Sequence, residues 1–177
     1  LKPDLVLCIH FNADPWGDCE HATLVSRTHL HLLVNGAYTD PEVAFADQRQ
    51  AMLEILLRGT HTEETEVSSA VADIFSKRSG LPPFLYPPGS DTVRQINGNP
   101  YLWARNLLAN RLYHCPVVYM EPYVMNSVID HPRMIAGDYE GLREISGKKQ
   151  PSLFREYADA MAEGLAKHYS EKRKIVR

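Results

Sequence analysis

Two short apolar runs constrain the fold of this chain more than any other feature of its sequence. The first covers residues 5–9 (Leu-Val-Leu-Cys-Ile) and the second covers residues 116–120 (Pro-Val-Val-Tyr-Met). Neither run alternates with polar residues, which is typical of a strand that is buried on both faces. Because such strands occur mainly in parallel sheets covered by helices, the two runs predict an α/β protein.

The segments around these runs alternate between strand and helix patterns. Residues 28–34 begin with alternating side chains and end at the turn pair Asn35-Gly36, which predicts a further strand. Three helices are predicted, from Asp40 to about residue 57, over residues 63–79 behind a capping box at Thr60, and from Ser152 onwards. Residues 81–100 and 137–151 are predicted to be loops, and residues 101–112 fit either a helix or a strand.

Length and composition place the chain among ordinary globular domains. Its 177 residues predict one domain, over residues 1–177, with a largely parallel twisted sheet flanked by helices. With 19 basic and 22 acidic side chains the net charge is −3, so nothing in the charge points to a nucleic-acid partner. No apolar stretch approaches the ~20 residues that a membrane-spanning helix needs. The three cysteines form no disulfide or zinc-knuckle pattern, and Cys8 and Cys115 are expected to be buried.

Each apolar run is followed by a side chain that could bind a metal or transfer a proton. His10 follows the first run and Glu121 follows the second. Ligands of open parallel sheets bind at the carboxyl ends of the strands, so neighbouring parallel strands would bring these two residues together. The imidazole could then bind zinc, and the carboxylate could act as a second ligand or as a general base. The alternative is structural, with a hydrogen-bonded core histidine and a helix-capping or ion-paired glutamate.

Other candidates come from spacing and residue type. His29 and His31 share one face of a strand, where they could bind a metal or simply form an exposed polar face. The loop group Cys19, Glu20 and His21 is a weaker metal candidate. The histidines expected at the surface or in loops are His114, His131 and His168. Three aromatic residues could stack on a sugar or belong to the core, namely Tyr101, Trp103 and Tyr113.

Four segments together resemble a known enzyme family. Residues 3–13 (Pro-Asp-Leu-Val-Leu-Cys-Ile-His-Phe-Asn-Ala) resemble the A-D-L-x-[IV]-S-I-H-x-N-A segment of zinc-dependent N-acetylmuramoyl-L-alanine amidases of the amidase_3 type. Residues 116–122 (Pro-Val-Val-Tyr-Met-Glu-Pro) are similar to that family's P-A-V-L-V-E-P-G-F. The helices over residues 63–79 and 157–169 resemble the family's remaining helices, in the same order.

The resemblance implies roles for particular residues. It makes His10 one of three zinc ligands and Glu121 the catalytic carboxylate. The family's other two ligands, a histidine and a glutamate, belong to a strand and helix that precede the segment matched here, so the chain is expected to lack that N-terminal part. Asn12, two residues after His10 on the same side of an extended chain, is a candidate for orienting substrate or loop. Residues 123–127 depart from the family's Gly-Phe-x-Ser-Asn, and the loop after Ala13 is longer, which affects the substrate pocket more than the metal ligand.

The resemblance also implies a reaction. The expected enzyme uses Zn²⁺ to cleave the amide between the lactyl group of N-acetylmuramic acid and L-alanine in peptidoglycan. Its partner would be peptidoglycan or a muramyl-peptide, and its location would be the cell envelope, either periplasmic or secreted. Two alternatives remain open at this point. The chain could be another zinc-dependent amide hydrolase of α/β fold, such as a deacylase or exopeptidase, or a non-catalytic relative that binds peptidoglycan.

Overall fold

The computed structural model describes residues 3–18, 20–21 and 23–175. The strands are β1 (Val6–Ile9), β2 (Leu30–Asn35), β3 (Val93–Gln95), β4 (Leu102–Arg105), β5 (Val117–Pro122), β6 (Arg143–Ile145) and β7 (Lys148–Gln150). The helices are α1 (Asp40–Val43), α2 (Ala46–Arg58), α3 (His61–Ser79), α4 (Leu108–Leu112), α5 (His131–Ile135) and α6 (Leu153–Ile175).

Five strands form one mixed sheet in the order β1-β5-β2-β4-β3. The two apolar runs, β1 and β5, are parallel neighbours, and β2 is parallel to β4. The pairs β2–β5 and β3–β4 are antiparallel. The predicted α/β architecture is therefore confirmed, with antiparallel pairs accompanying the parallel ones.

The main hydrophobic core lies between one face of this sheet and the two long helices α3 and α6. The strands contribute fully buried aliphatic side chains, and the helices contribute Val67, Val71, Phe75, Leu153 and Tyr157. In each helix the apolar residues spaced along one face are thus the ones that pack. Gly164 of α6 allows the close approach, because a Cβ built there would lie 2.6 Å from the Cα of Val71 in α3.

The opposite face of the sheet carries polar and aromatic side chains at the ends of β2, β4 and β5. Successive side chains of a strand point to opposite faces, so residues paired across strands lie on the same face. The register places His31 of β2 opposite Glu121 of β5, and Leu33 of β2 opposite Trp103 of β4. This polar face holds the candidate site.

Three predictions made from the sequence differ from the structure. The helix predicted from Asp40 is divided into α1 and α2, because Phe45 has an extended backbone with ψ 128°. Helix α1 is capped by Thr39, whose backbone N–H and hydroxyl both donate to Glu42 at 2.8 Å. The capping box predicted at Thr60 does not form, since that hydroxyl donates to Glu64 instead. Both cysteines that were expected to be buried, Cys8 and Cys115, are only partly buried.

The predicted loops contain regular structure that their sequences conceal. Residues 143–150 form the hairpin β6–β7, whose turn residues Ser146 and Gly147 both have positive φ, as a two-residue turn of this kind requires. Its strands consist mostly of charged residues, so no alternation of apolar and polar residues identifies them as strands. The ambiguous segment 101–112 contains both β4 and α4. Among the described residues, no helix is long and apolar enough to cross a membrane.

Candidate active site

The parallel pairing of β1 with β5 brings His10 and Glu121 together. Ile9 is paired with Met120, so the next residue along each strand lies at the same edge of the sheet. Nδ1 of His10 lies 3.3 Å from Oε1 of Glu121. The Glu121 side chain is 13% exposed and that of His10 is 47% exposed, so the pair opens to solvent on the His10 side. The convergence expected from two parallel apolar strands is therefore present.

A second imidazole contacts the same carboxylate from the other neighbouring strand. His31 is the register partner of Glu121, and its Nε2 lies 2.7 Å from Oε2 of that residue. The His31 side chain is only 1% exposed. Each oxygen of Glu121 thus faces a different histidine. Nδ1 of His31 is buried and has no hydrogen-bond partner among the described residues.

The polar strand face expected at His29 and His31 is present, but it is not exposed. His29 is 3% exposed, and the ring of Phe84 covers both imidazoles, with centroid distances of 4.6 and 5.0 Å. Phe84 follows α3 and returns across β2, where its N–H donates to the carbonyl of Leu30. Strand spacing alone could not show that this segment covers the face.

Asn12 holds His29 at the rim of this cluster. The Asn12 side-chain oxygen accepts the N–H of Ala13 at 2.7 Å, which leaves its Nδ2 to donate to Nε2 of His29, also at 2.7 Å. The bond requires a neutral His29 ring with its proton on Nδ1. Burial and the neighbouring His31 lower the pKa of His29 to about 4, which agrees with that neutral state.

The charge state of Glu121 follows from competing effects. Burial by itself raises the pKa of this carboxyl, whereas the hydrogen bond from His31 and the electrostatic interactions with His31, His10 and Arg105 lower it. The lowering effects prevail, so the pKa of Glu121 lies below its usual range and the carboxylate is ionised at neutral pH. A mostly buried, ionised carboxylate whose Oε1 faces the half-exposed His10 is suited to accept a proton.

Neighbouring side chains fix the backbone and rings around this pair. The hydroxyl of Tyr157 in α6 donates to the carbonyl of His10 at 3.1 Å, which ties the end of β1 to the helix layer. The His10 ring lies 5.5 Å from that of Tyr119, and the Tyr86 hydroxyl lies 3.3 Å from Nε2 of His31. Tyr86 and Arg105 gave no signal in the sequence as site residues, because their approach depends on the order of the strands.

The segment after Glu121 departs from the family pattern and has a structural role. Tyr123 is fully buried with φ 60°, and its hydroxyl donates to Glu156 of α6. The buried Asn126 accepts the N–H of Asp14 at 3.0 Å and donates to the carbonyl of Thr23 at 2.8 Å. These contacts fasten the long loop after Ala13 beside the candidate site.

The remaining sequence candidates lie outside this cluster. His21 is exposed and pairs with Asp18, whereas Cys19 lies outside the described residues. His114 and His131 are exposed, as expected.

His168, by contrast, is buried, contrary to the surface position expected for it. It packs between α6 and α3, where Nε2 lies 3.1 Å from Oε1 of Glu63. Ligand atoms of Glu63, Glu66 and His168 lie within 4.8 Å of one another, so this group could hold a metal ion. Lys172 already pairs with both glutamates there.

The donors at the end of β1 and β5 also suit zinc. Zinc in proteins takes imidazole nitrogen and carboxylate oxygen, and a catalytic site leaves one position open. The His10 side chain is half exposed and turns Nδ1 toward the carboxylate, which leaves Nε2 for a metal, whereas His31 is buried and its Nε2 is engaged by Glu121. His10 therefore fits the role of a metal ligand, and Glu121 fits that of a carboxylate beside the metal.

Comparison with solved structures relates the fold of this chain to that of known enzymes. No protein-family model and no curated protein matches the chain. The solved structures similar to it include two N-acetylmuramyl-L-alanine amidases called Ami1. The structure from Mycobacterium smegmatis is 18% identical with a TM-score of 0.55, and the match covers 96% of this chain and 56% of that one. The apo form from Mycobacterium abscessus is 18% identical with a TM-score of 0.50, covering 94% and 55%.

At this level of identity the likeness concerns the fold. The chain spans a little more than half the length of these two relatives. The residues that suggested the amidase family in the sequence, around His10 and Glu121, end two adjacent parallel strands of the matched sheet. The chain therefore has an α/β fold of the type found in N-acetylmuramyl-L-alanine amidases.

Proposed function

We propose that this protein is a zinc-dependent N-acetylmuramoyl-L-alanine amidase. It would cleave the amide between the lactyl group of N-acetylmuramic acid and L-alanine in peptidoglycan, within the cell envelope or outside the cell. The observation that carries the proposal is the ionised Glu121 carboxylate held between two imidazoles at the carboxyl end of β5. The amidase-type fold supports the same choice of substrate.

His10 is the residue of this chain that would hold the metal. Its ring is half exposed beside the carboxylate, and its main chain is anchored by the Tyr157 hydroxyl. A zinc ion bound there would supply Lewis-acid chemistry, by polarising the carbonyl of the scissile amide. The anchoring keeps the imidazole in place while substrate enters from the open side.

Glu121 moves the proton. Ionised at neutral pH, its carboxylate accepts a proton from the water that attacks the amide carbon. When the carbon–nitrogen bond breaks, the same proton passes to the departing amine of L-alanine. Water thus adds across the amide, and Glu121 returns to its starting state. One carboxylate serves as base and then as acid.

His31 and Asn12 position these groups. His31 holds Oε2 of Glu121 through a 2.7 Å contact, which leaves Oε1 toward His10 and solvent. Asn12 fixes the neutral ring of His29 and the start of the loop after Ala13. Asn12 stays near enough to the site edge to orient that loop against substrate.

Replacing Glu121 by glutamine tests this function. The substitution keeps the size of the side chain and removes only the base, so hydrolysis of a muramyl-peptide should fall by about 100-fold or more. The thermal midpoint should change little. Turnover would be measured with zinc present, in a protein that also carries the two further ligands implied by the amidase resemblance, by the release of free L-alanyl peptide.

Glu140→Gln is the matched control, because that carboxylate is highly exposed and lies away from the site. It should behave as the wild type. Hydrolysis by Glu121→Gln near the wild-type rate would overturn the role of Glu121. Cleavage of simple acyl amides but not of muramyl-peptides would indicate a different amide hydrolase.

A further inference from the structure

A groove of about 470 Å³ lies beside the candidate active site, between residues 86–91 and the strands β3 and β4. Its volume is within the usual range for ligand pockets. We propose that this groove binds a sugar ring of the substrate's glycan strand. The inference rests on the proposed function, because the amide cleaved there is attached to a sugar through a lactyl group.

Tyr86 is the wall that the groove shares with the active site. Its hydroxyl lies 3.3 Å from Nε2 of His31, and that nitrogen lies 2.7 Å from Oε2 of Glu121. The groove and the carboxylate are therefore separated by the side chains of Tyr86 and His31. Because only the lactyl group separates the sugar from the scissile carbonyl, a substrate held at Glu121 needs a sugar subsite this close.

The surfaces of the groove match the two kinds of surface on a sugar ring. Trp103 and Tyr86 present aromatic rings whose centroids are 5.0 Å apart, and the apolar C–H face of a sugar can pack on such rings. Gln95 is the register partner of Trp103, so its exposed amide lies on the same face of the sheet. An amide can donate to and accept from sugar hydroxyl groups.

The charges of the groove favour a neutral ligand over an anionic one. Its lining contains one acidic residue, Asp91, and one basic residue, Arg94. Nη1 of Arg94 donates to the carbonyls of Ser90, Asp91 and Val93, which orders this wall. The two charged residues of the described lining balance each other, so this lining offers no cluster of cations to select a phosphate or a peptide carboxylate. A hydroxyl-rich neutral ring is the better match.

Of the three aromatic residues that could stack on a sugar, only one lines this groove. Tyr101 packs against the main core and its hydroxyl donates to the carbonyl of Leu81. Tyr113 is exposed at the end of α4. Trp103 stands in the groove, next to Tyr86.

Calorimetric titration with a peptide-free glycan tests the proposal. The probe is a soluble chain of alternating N-acetylglucosamine and N-acetylmuramic acid whose lactyl carboxyl groups are methyl esters, so it is neutral and lacks the lactyl–alanine amide that the enzyme would cleave. Trp103→Ala should weaken its binding by roughly tenfold. Trp103→Phe should recover much of the affinity because it keeps a ring, and Tyr113→Ala, the matched control, should bind as the wild type does.

Two results would overturn the sugar site. One is the absence of binding to the wild type at about 10 mM glycan. The other is wild-type affinity in Trp103→Ala. Thermal midpoints establish whether each variant folds. If Trp103→Ala does not fold, the exposed Gln95→Ala decides, with an expected loss of a few-fold and with unchanged affinity counting against the site.

The sugar site and the amidase function can fail separately. Hydrolysis of a lactyl-L-alanyl peptide, which lacks the sugar, should proceed equally in the wild type and in Trp103→Ala. Glycan binding without any amide hydrolysis would overturn the proposed function and leave the sugar site standing. Hydrolysis without glycan binding, or displacement of the glycan by a sugar-free stem peptide, would overturn the sugar site alone.

Discussion

The two faces of the five-stranded sheet differ in chemistry, although the same strands build both. On one face Leu32 of β2 and Met120 of β5 are completely buried under the helix layer. On the other face the adjacent residues His31 and Glu121 form a buried polar contact at the site. Side chains alternate along a strand, so a shift of one residue would exchange the two sets. The register between strands, more than composition, therefore determines which face of the sheet carries His31 and Glu121.

The largest expected effect is a loss of folding stability at low pH, and it is caused by His29. This residue is buried on the polar face, and its ring is bonded to Asn12 rather than to a carboxylate. Burial and His31 lower its pKa to about 4, against about 6.5 for an unfolded histidine. Between these values the unfolded chain binds more protons than the folded one. Stability is therefore kept above about pH 6.5 and is lost as the pH falls toward 4, by at most roughly 3 kcal/mol.

Denaturant unfolding at about pH 7 and about pH 4.5 measures this loss. His29→Gln keeps an acceptor for Asn12 but does not titrate, so its stability should fall less over that interval. The exposed His131→Gln is the control and should follow the wild type. Equal losses in the wild type and in His29→Gln would show that His29 is not held neutral by the fold.

The next effect concerns the hydrogen bond that positions Glu121. His31→Leu removes a donor to an ionised group, and such bonds contribute roughly 1.5–3 kcal/mol. We expect kcat to fall about 10- to 100-fold with KM little changed, because the base is misplaced while the pocket remains. His31→Gln, which can still donate, should recover part of the loss. A rise in KM at constant kcat would instead assign His31 to substrate binding.

A smaller effect on stability tests the packing of α6 against α3. Gly164→Ala would place a Cβ 2.6 Å from the Cα of Val71, and backbone cannot move aside at little cost. Overpacking costs about 1–3 kcal/mol, whereas alanine improves helix propensity by about 1 kcal/mol. Because the clash is with backbone, the overpacking cost should lie in the upper part of that range, so the free energy of unfolding should fall by about 1–2 kcal/mol. Ser170→Ala, an exposed position of the same helix, should change it by less than about 0.5 kcal/mol.

The elements that could be predicted from the sequence are those whose pattern of apolar residues shows which side is buried. The runs at residues 5–9 and 116–120 indicated adjacent parallel strands, and the apolar faces of α3 and α6 were visible in their spacing. The hairpin β6–β7 could not be predicted, because its charged strands lack an apolar face. The break at Phe45 was also hidden, since the helical pattern continues on both sides of it.

The site was predictable only in part, for a similar reason. His10 and Glu121 each end a recognisable strand, so their approach follows from parallel pairing. His31 was visible as half of an H-x-H pair, yet its contact with Glu121 depends on β2 lying antiparallel to β5. Its burial depends on Phe84, which reaches it from a proline-rich segment with no regular pattern. Long-range register of this kind has no local signature.

The central claim is that the metal belongs to the polar face, at His10, rather than to the group formed by Glu63, Glu66 and His168 between α3 and α6. Zinc affinity measured for His10→Ala and His168→Ala beside the wild type, each in a protein that also carries the two further ligands implied by the amidase resemblance, tests it most directly. We expect His10→Ala to weaken zinc binding by about 100-fold or more, whereas His168→Ala should bind zinc as the wild type does. Loss of zinc from His168→Ala with full binding by His10→Ala would contradict it.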